Sequence, residues 1–127
     1  MAGITLDAGA LIAAERGTAR FWGYWKKAVA DGVPVVVPAS VLAEAWRGPR
    51  NARMAMVLRG CRVEPLTPLL ARRAGELCGR AGSQDSVDAI VVTSAALRGD
   101  AIITSDPADL RQLVTVLGRR IDVIDLR

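Results

Sequence analysis

The sequence predicts an α/β domain in which a mainly parallel central sheet of four to five strands is covered by helices on both faces. Strand-like and helix-like segments alternate along the 127 residues. The strand-like segments are continuously apolar and rich in β-branched residues, as in strands buried on both faces. Nothing resembles a linker, a repeat or a low-complexity segment, so we expect a single domain over residues 1–127.

Five segments are predicted as strands: residues 3–6, 33–37, 62–66, 101–104 and 121–126. Pro34 lies near the start of the second strand, where a missing backbone donor is tolerated. Seven segments are predicted as helices: residues 8–15, 19–31, 41–47, 52–59, 68–80, 86–97 and 107–113.

Local signals support several of these helices. Ser40 is a predicted N-cap, and Thr67 followed by Pro68 is a strong helix start because proline is favoured in the first turn. The helix over residues 86–97 is apolar almost all round, which predicts a central position.

The composition excludes several kinds of chemistry. Histidine is absent, which excludes Ser-His and Cys-His catalysis and the usual zinc sites. Fifteen of the 17 basic residues are arginines, a residue suited to phosphate or carboxylate partners, although a high-GC genome gives the same bias. Cys61 and Cys78 are expected to be unpaired thiols. With no signal peptide and no apolar run near the length of a membrane span, we expect a cytoplasmic protein without membrane contact.

Acidic residues follow the predicted strands. Asp7 and Asp106 come directly after the first and fourth strands, and Glu44 lies on the helix after the second. Asp88 lies on the apolar helix, with Asp85 one turn earlier. Because sites in parallel sheets lie beyond the carboxyl ends of the strands, these acids are expected to converge.

Each acid also has a purely structural interpretation. Asp7 and Asp106 could cap the helices that follow, Glu44 could pair with Arg47, and Asp88 could face solvent. Three further acids, Asp109, Asp122 and Asp125, are interpreted as surface or capping residues. Converging carboxylates raise each other's pKa unless a cation neutralises them, and a carboxylate and water shell suits Mg²⁺ or Mn²⁺.

Four segments, in order, resemble the motifs of the PIN-domain ribonucleases, and most closely those of the toxins of VapBC-type toxin–antitoxin pairs. The segments are ITLDAGALI at 4–12, VLAEAW at 41–46, DSVDAIV at 85–91 and IITSDPADL at 102–110. The resemblance covers essentially the whole chain and implies a PIN fold.

The resemblance also implies a function. It predicts a Mg²⁺ or Mn²⁺ site formed by Asp7, Glu44, Asp88 and Asp106, with Thr104 supporting it through hydrogen bonding and Asp85 at its rim. The implied activity is endonucleolytic cleavage of structured RNA, either tRNA or rRNA, by activated water, leaving a 5′-phosphate and a 3′-hydroxyl.

Partners follow from the same resemblance. A cognate VapB-type antitoxin and a homodimer are expected, and the aromatic residues Phe21, Trp22 and Trp25 are either a contact surface or part of the core. Four arginines flank the Asp7 and Glu44 segments and are candidate contacts to the RNA backbone: Arg16, Arg47, Arg50 and Arg53.

Three alternatives stay open. The first is a catalytically silent PIN-like module that binds RNA or protein. The second is a phospho-acceptor receiver domain. A receiver is expected to carry a lysine near the end of the chain, and this interpretation is disfavoured because both lysines, Lys26 and Lys27, lie early. The third is a structural domain whose acids are all helix caps.

Overall fold

The computed structural model describes residues 2–127 and confirms the predicted fold class. Five strands form one sheet in the order β3-β2-β1-β4-β5, and every neighbouring pair is parallel. The strands are β1 (Ile4–Leu6), β2 (Val35–Pro38), β3 (Arg62–Glu64), β4 (Ala101–Thr104) and β5 (Val123–Asp125).

Helices form two groups around this sheet. The helices are α1 (Ala8–Glu15), α2 (Ala19–Ala30), α3 (Ala39–Ala45), α4 (Ala52–Arg59), α5 (Pro68–Ala81), α6 (Ser86–Arg98) and α7 (Pro107–Leu117). Helix α1 packs against α2, α3 and α4, whereas α5, α6 and α7 pack against one another. Right-handed crossovers place the two groups on opposite faces of a parallel sheet. Within residues 2–127, no helix is long and apolar enough to cross a membrane.

The central strands β1, β2 and β4 are buried along their whole length, as their continuous apolar sequences predict. Helix α6 is also central, with seven consecutive buried residues from Ala89 to Ala95. The two cysteines are free, as expected.

Element ends differ from the predictions where tertiary contacts outweigh local signals. Helix α3 begins at Ala39, so Ser40 lies inside it and Pro38 occupies the cap position. Helix α7 continues past residue 113 to Leu117 and ends at Gly118, whose φ of 74° suits glycine. Strand β2 begins at Val35, although the Pro34 carbonyl already accepts a hydrogen bond of 2.9 Å from Ile4 N.

A buried ionic network joins the end of α6 to three strands or their flanks. Arg98 donates to Asp100 Oδ2 at 2.9 Å and to Thr5 Oγ1 at 2.8 Å, and it forms an ion pair with Glu64. Thr5 Oγ1 donates to Asp100 Oδ2 at 2.9 Å, and Ser94 Oγ donates to Glu64 Oε1 at 2.5 Å. The network therefore anchors β1 at Thr5, two residues before Asp7.

Candidate active site at the carboxyl edge of the sheet

Strand order reverses between β1 and β4, and this is where an open parallel sheet leaves a crevice for ligands. From β1 the chain adds β2 and then β3 on one side, after which β4 and β5 are added on the other. Asp7 directly follows β1, and Asp106 is two residues beyond β4. Both acids therefore lie at the switch point.

Beyond this edge lies an open cavity of about 250 Å³. Six carboxylates line it: Asp7, Glu44, Asp85, Asp88, Asp106 and Asp109. Within residues 2–127, no lysine or arginine side chain lines it. All five acids predicted for the site, four metal ligands and one at the rim, thus lie around one cavity. Asp109 is an addition.

Asp7 is the most enclosed of these acids, with 7% of its surface exposed. Its Oδ1 accepts a hydrogen bond of 2.8 Å from Ala10 N, so it caps α1, and its Oδ2 accepts one of 2.5 Å from Thr104 Oγ1. Burial raises the pKa of Asp7 to about 6; the two hydrogen bonds oppose the rise, and the charges of Glu44 and Asp106 add to it. Asp7 therefore caps α1 and lines the cavity at the same time.

Thr104 connects the two acids of the switch point. Its hydroxyl donates to Asp7, and the same oxygen accepts a hydrogen bond of 3.0 Å from Asp106 N. The Asp106 side chain makes no capping hydrogen bond to α7 and is exposed to the cavity. The cap interpretation of Asp106 is thus wrong for its side chain, which is left free for a ligand.

Close packing brings the two loops together. A β-carbon on Gly9, in the first turn of α1, would stand 2.4 Å from Ser105 Oγ and 3.4 Å from Asp7 Oδ1. A larger residue at position 9 would require the Ser105 hydroxyl to rotate away or the loop after β4 to shift. The small residues around Gly9 are the sequence signal for this approach.

Asp88 and Asp85 enter from the first turn of α6. Asp85 caps the helix, because its Oδ1 accepts a hydrogen bond of 3.0 Å from Asp88 N. The Asp88 side chain is half-buried rather than facing solvent. Burial is the largest of several causes that together raise the pKa of Asp88 to about 7; the charge of Asp85 and its side-chain hydrogen bond come next, followed by the charges of Asp7 and Asp109. The site therefore holds more negative charge than its surroundings compensate.

Glu44 is exposed on α3 and makes no ion pair with Arg47, which instead donates to the carbonyls of Ala43 and Trp46. Asp109 lies one turn after Asp106 on α7. Helical spacing from Asp106 was the signal that could have placed Asp109 at the site.

A groove of about 250 Å³ adjoins the acidic cavity and shares Ile12 and Glu44 with it. Arg16 and Arg47 line this groove. Arg50 lines neither cavity, and Arg53 packs on Gly17 and donates to the Glu15 carbonyl at 3.2 Å. Of the four candidate RNA contacts, the structure brings two next to the acids.

The aromatic residues of α2 belong mainly to the core. Phe21 is buried, with its ring 5.6 Å from Trp22 edge-on and 6.4 Å from Trp25 stacked. Trp22 Nε1 donates to the Ala14 carbonyl at 3.0 Å. This packing supports the core alternative over a contact surface.

The donor set fits a hard divalent cation. Carboxylate oxygens are the ligands that Mg²⁺ and Mn²⁺ prefer, and the raised pKa values of Asp7 and Asp88 mark charge that a cation would neutralise. Within the described chain, no three His, Cys, Asp or Glu side chains are grouped tightly enough to enclose an ion. Mg²⁺ characteristically takes one or two carboxylates and keeps several waters, which suits this open arrangement.

The fold and site together define a parallel α/β domain with a carboxylate-lined cavity at its switch point. A model of the PIN domain matches residues 4–114, and the chain belongs to the PIN-domain family. Family membership removes the receiver-domain alternative. No curated protein matches the sequence.

Solved structures share the fold at low sequence identity. VapBC2 from Rickettsia felis bound to a promoter DNA fragment gives a TM-score of 0.73 at 12% identity, covering 96% of this chain and 97% of that chain. FitAcB from Neisseria gonorrhoeae gives a TM-score of 0.67 at 14% sequence identity, covering 97% of each chain. DNA-bound VapBC from Salmonella typhimurium gives a TM-score of 0.66 at 15% sequence identity, covering 100% of each chain. At these identities the similarity shows the fold alone.

Proposed function

We propose that the protein is a divalent-metal-dependent endoribonuclease and the toxin component of a type II toxin–antitoxin pair. The observation that supports this most is the convergence of six carboxylates on one cavity at the switch point. PIN-family membership and the fold shared with chains of toxin–antitoxin complexes point the same way.

The proposed ligands of the cation, Mg²⁺ or Mn²⁺, are Asp7, Asp88, Asp106 and Glu44, some directly and the others through its bound water molecules. Bound there, such an ion supplies the activation of water and the stabilisation of charge that phosphodiester hydrolysis needs. Thr104 fixes the rotamer of Asp7 through its hydrogen bond, and Asp85 holds the first turn of α6, which carries Asp88. Glu44 is exposed and lines the cavity from α3, and one of the carboxylates of the cavity would accept the proton of the attacking water.

The substrate in this proposal is structured RNA, either tRNA or rRNA, cut to leave a 5′-phosphate and a 3′-hydroxyl. Arg16 and Arg47 would bind phosphates that lead into the acidic cavity. We further propose a homodimer and a cognate VapB-type antitoxin as partners, with the action of the toxin in the cytoplasm, where its substrate occurs.

An RNA-cleavage assay tests the proposal. Purified protein is incubated with folded tRNA and rRNA fragments and Mg²⁺ or Mn²⁺, beside a chelator control and the variants Asp7→Asn, Asp106→Asn and Asp122→Asn. Asp122 is exposed and lies away from the cavity, so its variant should retain activity. Cleavage that persists in both site variants would contradict the site assignment. RNA binding without cleavage by the wild type would favour the catalytically silent module.

A further inference from the structure

A second cavity, of about 180 Å³, lies among α5, α6 and α7. It is formed by α5, the later turns of α6 and the residues around the end of α7, whereas the first turns of α6 and α7 contribute to the acidic cavity. Four apolar side chains contribute to its lining: Leu77, Ala96, Leu97 and Leu117.

Arginines dominate the charge of this cavity. Arg73, Arg80 and Arg119 line it together with a single acid, Glu76. Within residues 2–127 none of the three arginines forms an ion pair. Arg80 Nη2 donates to the Val116 carbonyl at 2.7 Å, which holds its guanidinium in place and leaves other N–H groups free.

Thr93 adds a polar group among the lining residues. It is 5% exposed, and its hydroxyl has no hydrogen-bond partner among the described residues. A buried hydroxyl without a partner is unfavourable, so a ligand that accepts a hydrogen bond from it gains affinity.

We propose that this cavity binds a small organic anion in which an apolar group is joined to a phosphate or carboxylate. The apolar group would contact the leucines, and the anion would accept hydrogen bonds from the arginines, which suit both oxyanions. The Thr93 hydroxyl oxygen is buried beside the cavity, and its side chain would have to turn for that hydroxyl to donate to the ligand. The cavity admits a ligand about the size of phenyl phosphate. Its apolar lining favours such a molecule over a polynucleotide backbone. This site is independent of the proposed nuclease function.

Titration calorimetry of the whole protein with phenyl phosphate and with benzoate tests the site and separates the two anions. Inorganic phosphate and phenol serve as probes for each half of the ligand. We expect one site per chain and binding at least about tenfold tighter for one of the joined ligands than for either half. Arg73→Gln and Arg119→Gln should each weaken binding by about tenfold, a typical effect of losing a charge-assisted hydrogen bond.

Adjacent arginines provide matched controls. Arg72 and Arg120 are exposed and line neither this cavity nor the acidic one, so Arg72→Gln and Arg120→Gln should bind as the wild type does. Thr93→Val preserves shape and should also weaken binding, with its melting temperature measured to verify folding.

The proposal would be overturned by no binding of either joined ligand at millimolar concentration, by equal loss in Arg72→Gln and Arg73→Gln, or by inorganic phosphate or phenol binding as tightly as the better joined ligand. Displacement of a bound probe by equimolar RNA would also contradict a small-molecule site.

Discussion

Gly9 lies so close to Ser105 that a β-carbon on residue 9 would stand 2.4 Å from the Ser105 hydroxyl oxygen and 3.3 Å from its backbone nitrogen. This contact sets the distance between the start of α1 and the loop after β4. The two loops carry Asp7 and Asp106, so the geometry of the acidic cavity depends on a residue that contributes no functional group.

Gly9→Ala should therefore lower nuclease activity by about tenfold, because the Ser105 hydroxyl or the loop that carries Asp106 must shift. Ser105→Ala removes the 2.4 Å clash and leaves only the milder approach to the backbone. The double variant should thus recover much of the lost activity in the RNA-cleavage assay. An unchanged defect in the double variant would show that the Ser105 hydroxyl is not the obstacle.

Asp7→Asn should stabilise the metal-free protein at pH 8. The folded-state pKa of Asp7 is about 6, above its ordinary value of 3.8, so the native state binds this proton more tightly than the unfolded chain does. The stabilisation of the folded state by this proton is fully present below pH 3.8 and is lost as the pH rises to about 6. Above that pH the buried charge costs about 3 kcal/mol.

Urea unfolding in the presence of a chelator measures this effect. The gain from Asp7→Asn should approach about 3 kcal/mol at pH 8 and shrink toward zero near pH 4. Asp122→Asn serves as the exposed control. A gain of the same size at both pH values would argue against titration of Asp7 as its source.

Thr104→Val should shift the pH dependence of activity. The Thr104 hydrogen bond lowers the pKa of Asp7, so its loss raises that pKa and the carboxylate ionises only at higher pH. The acidic limb of the pH–rate profile should move to higher pH, together with a lower maximal rate. Thr115→Val, on the exposed face of α7, is the matched control and should leave the profile in place.

Arg98→Met should lower the free energy of unfolding by about 3 kcal/mol, because it leaves the buried Asp100 and the half-buried Glu64 without their cation. Asp100 is the more sensitive partner, with 3% of its side chain exposed against 18% for Glu64. Chemical denaturation provides the measurement, with Arg72→Met as the surface control. Adding Glu64→Gln and Asp100→Asn should restore part of the loss, and a lack of any recovery would contradict an electrostatic origin.

Arg16→Gln and Arg47→Gln should reduce the salt dependence of RNA binding. Each phosphate contact removed should flatten the slope of log affinity against log salt by about 0.7 on single-stranded RNA. Fluorescence anisotropy between 50 and 200 mM salt, roughly the range in which such effects are large, measures it on the Asp106→Asn background. Arg50→Gln is the control because Arg50 lines neither cavity, and an equal change there would point to unspecific surface charge.

The fold and the acids of the cavity could be predicted because both depend on local order. Asp7 and Asp106 follow strands, and the carboxyl ends of parallel strands share an edge. The ionic network could not be predicted, since Arg98 binds partners 34 and 93 residues away. Glu64 also ends a strand, but it pairs with Arg98. Because that partner is distant in sequence, no local signal distinguishes Glu64 from the acids of the cavity. Helix α7 exceeded its prediction because packing of Leu113 and its neighbours outweighed the low helix propensity of a β-branched run.

The hydrogen bond from Thr104 to Asp7 spans 97 residues of sequence, and it has a consequence for synthesis on the ribosome. Strand β1 is synthesised well before its neighbour β4 and the loop that carries Asp106. A growing chain therefore has no complete acidic cavity until β4 and the loop that carries Asp106 have emerged. A nascent chain that ends before Asp106 lacks part of the acid set of the cavity.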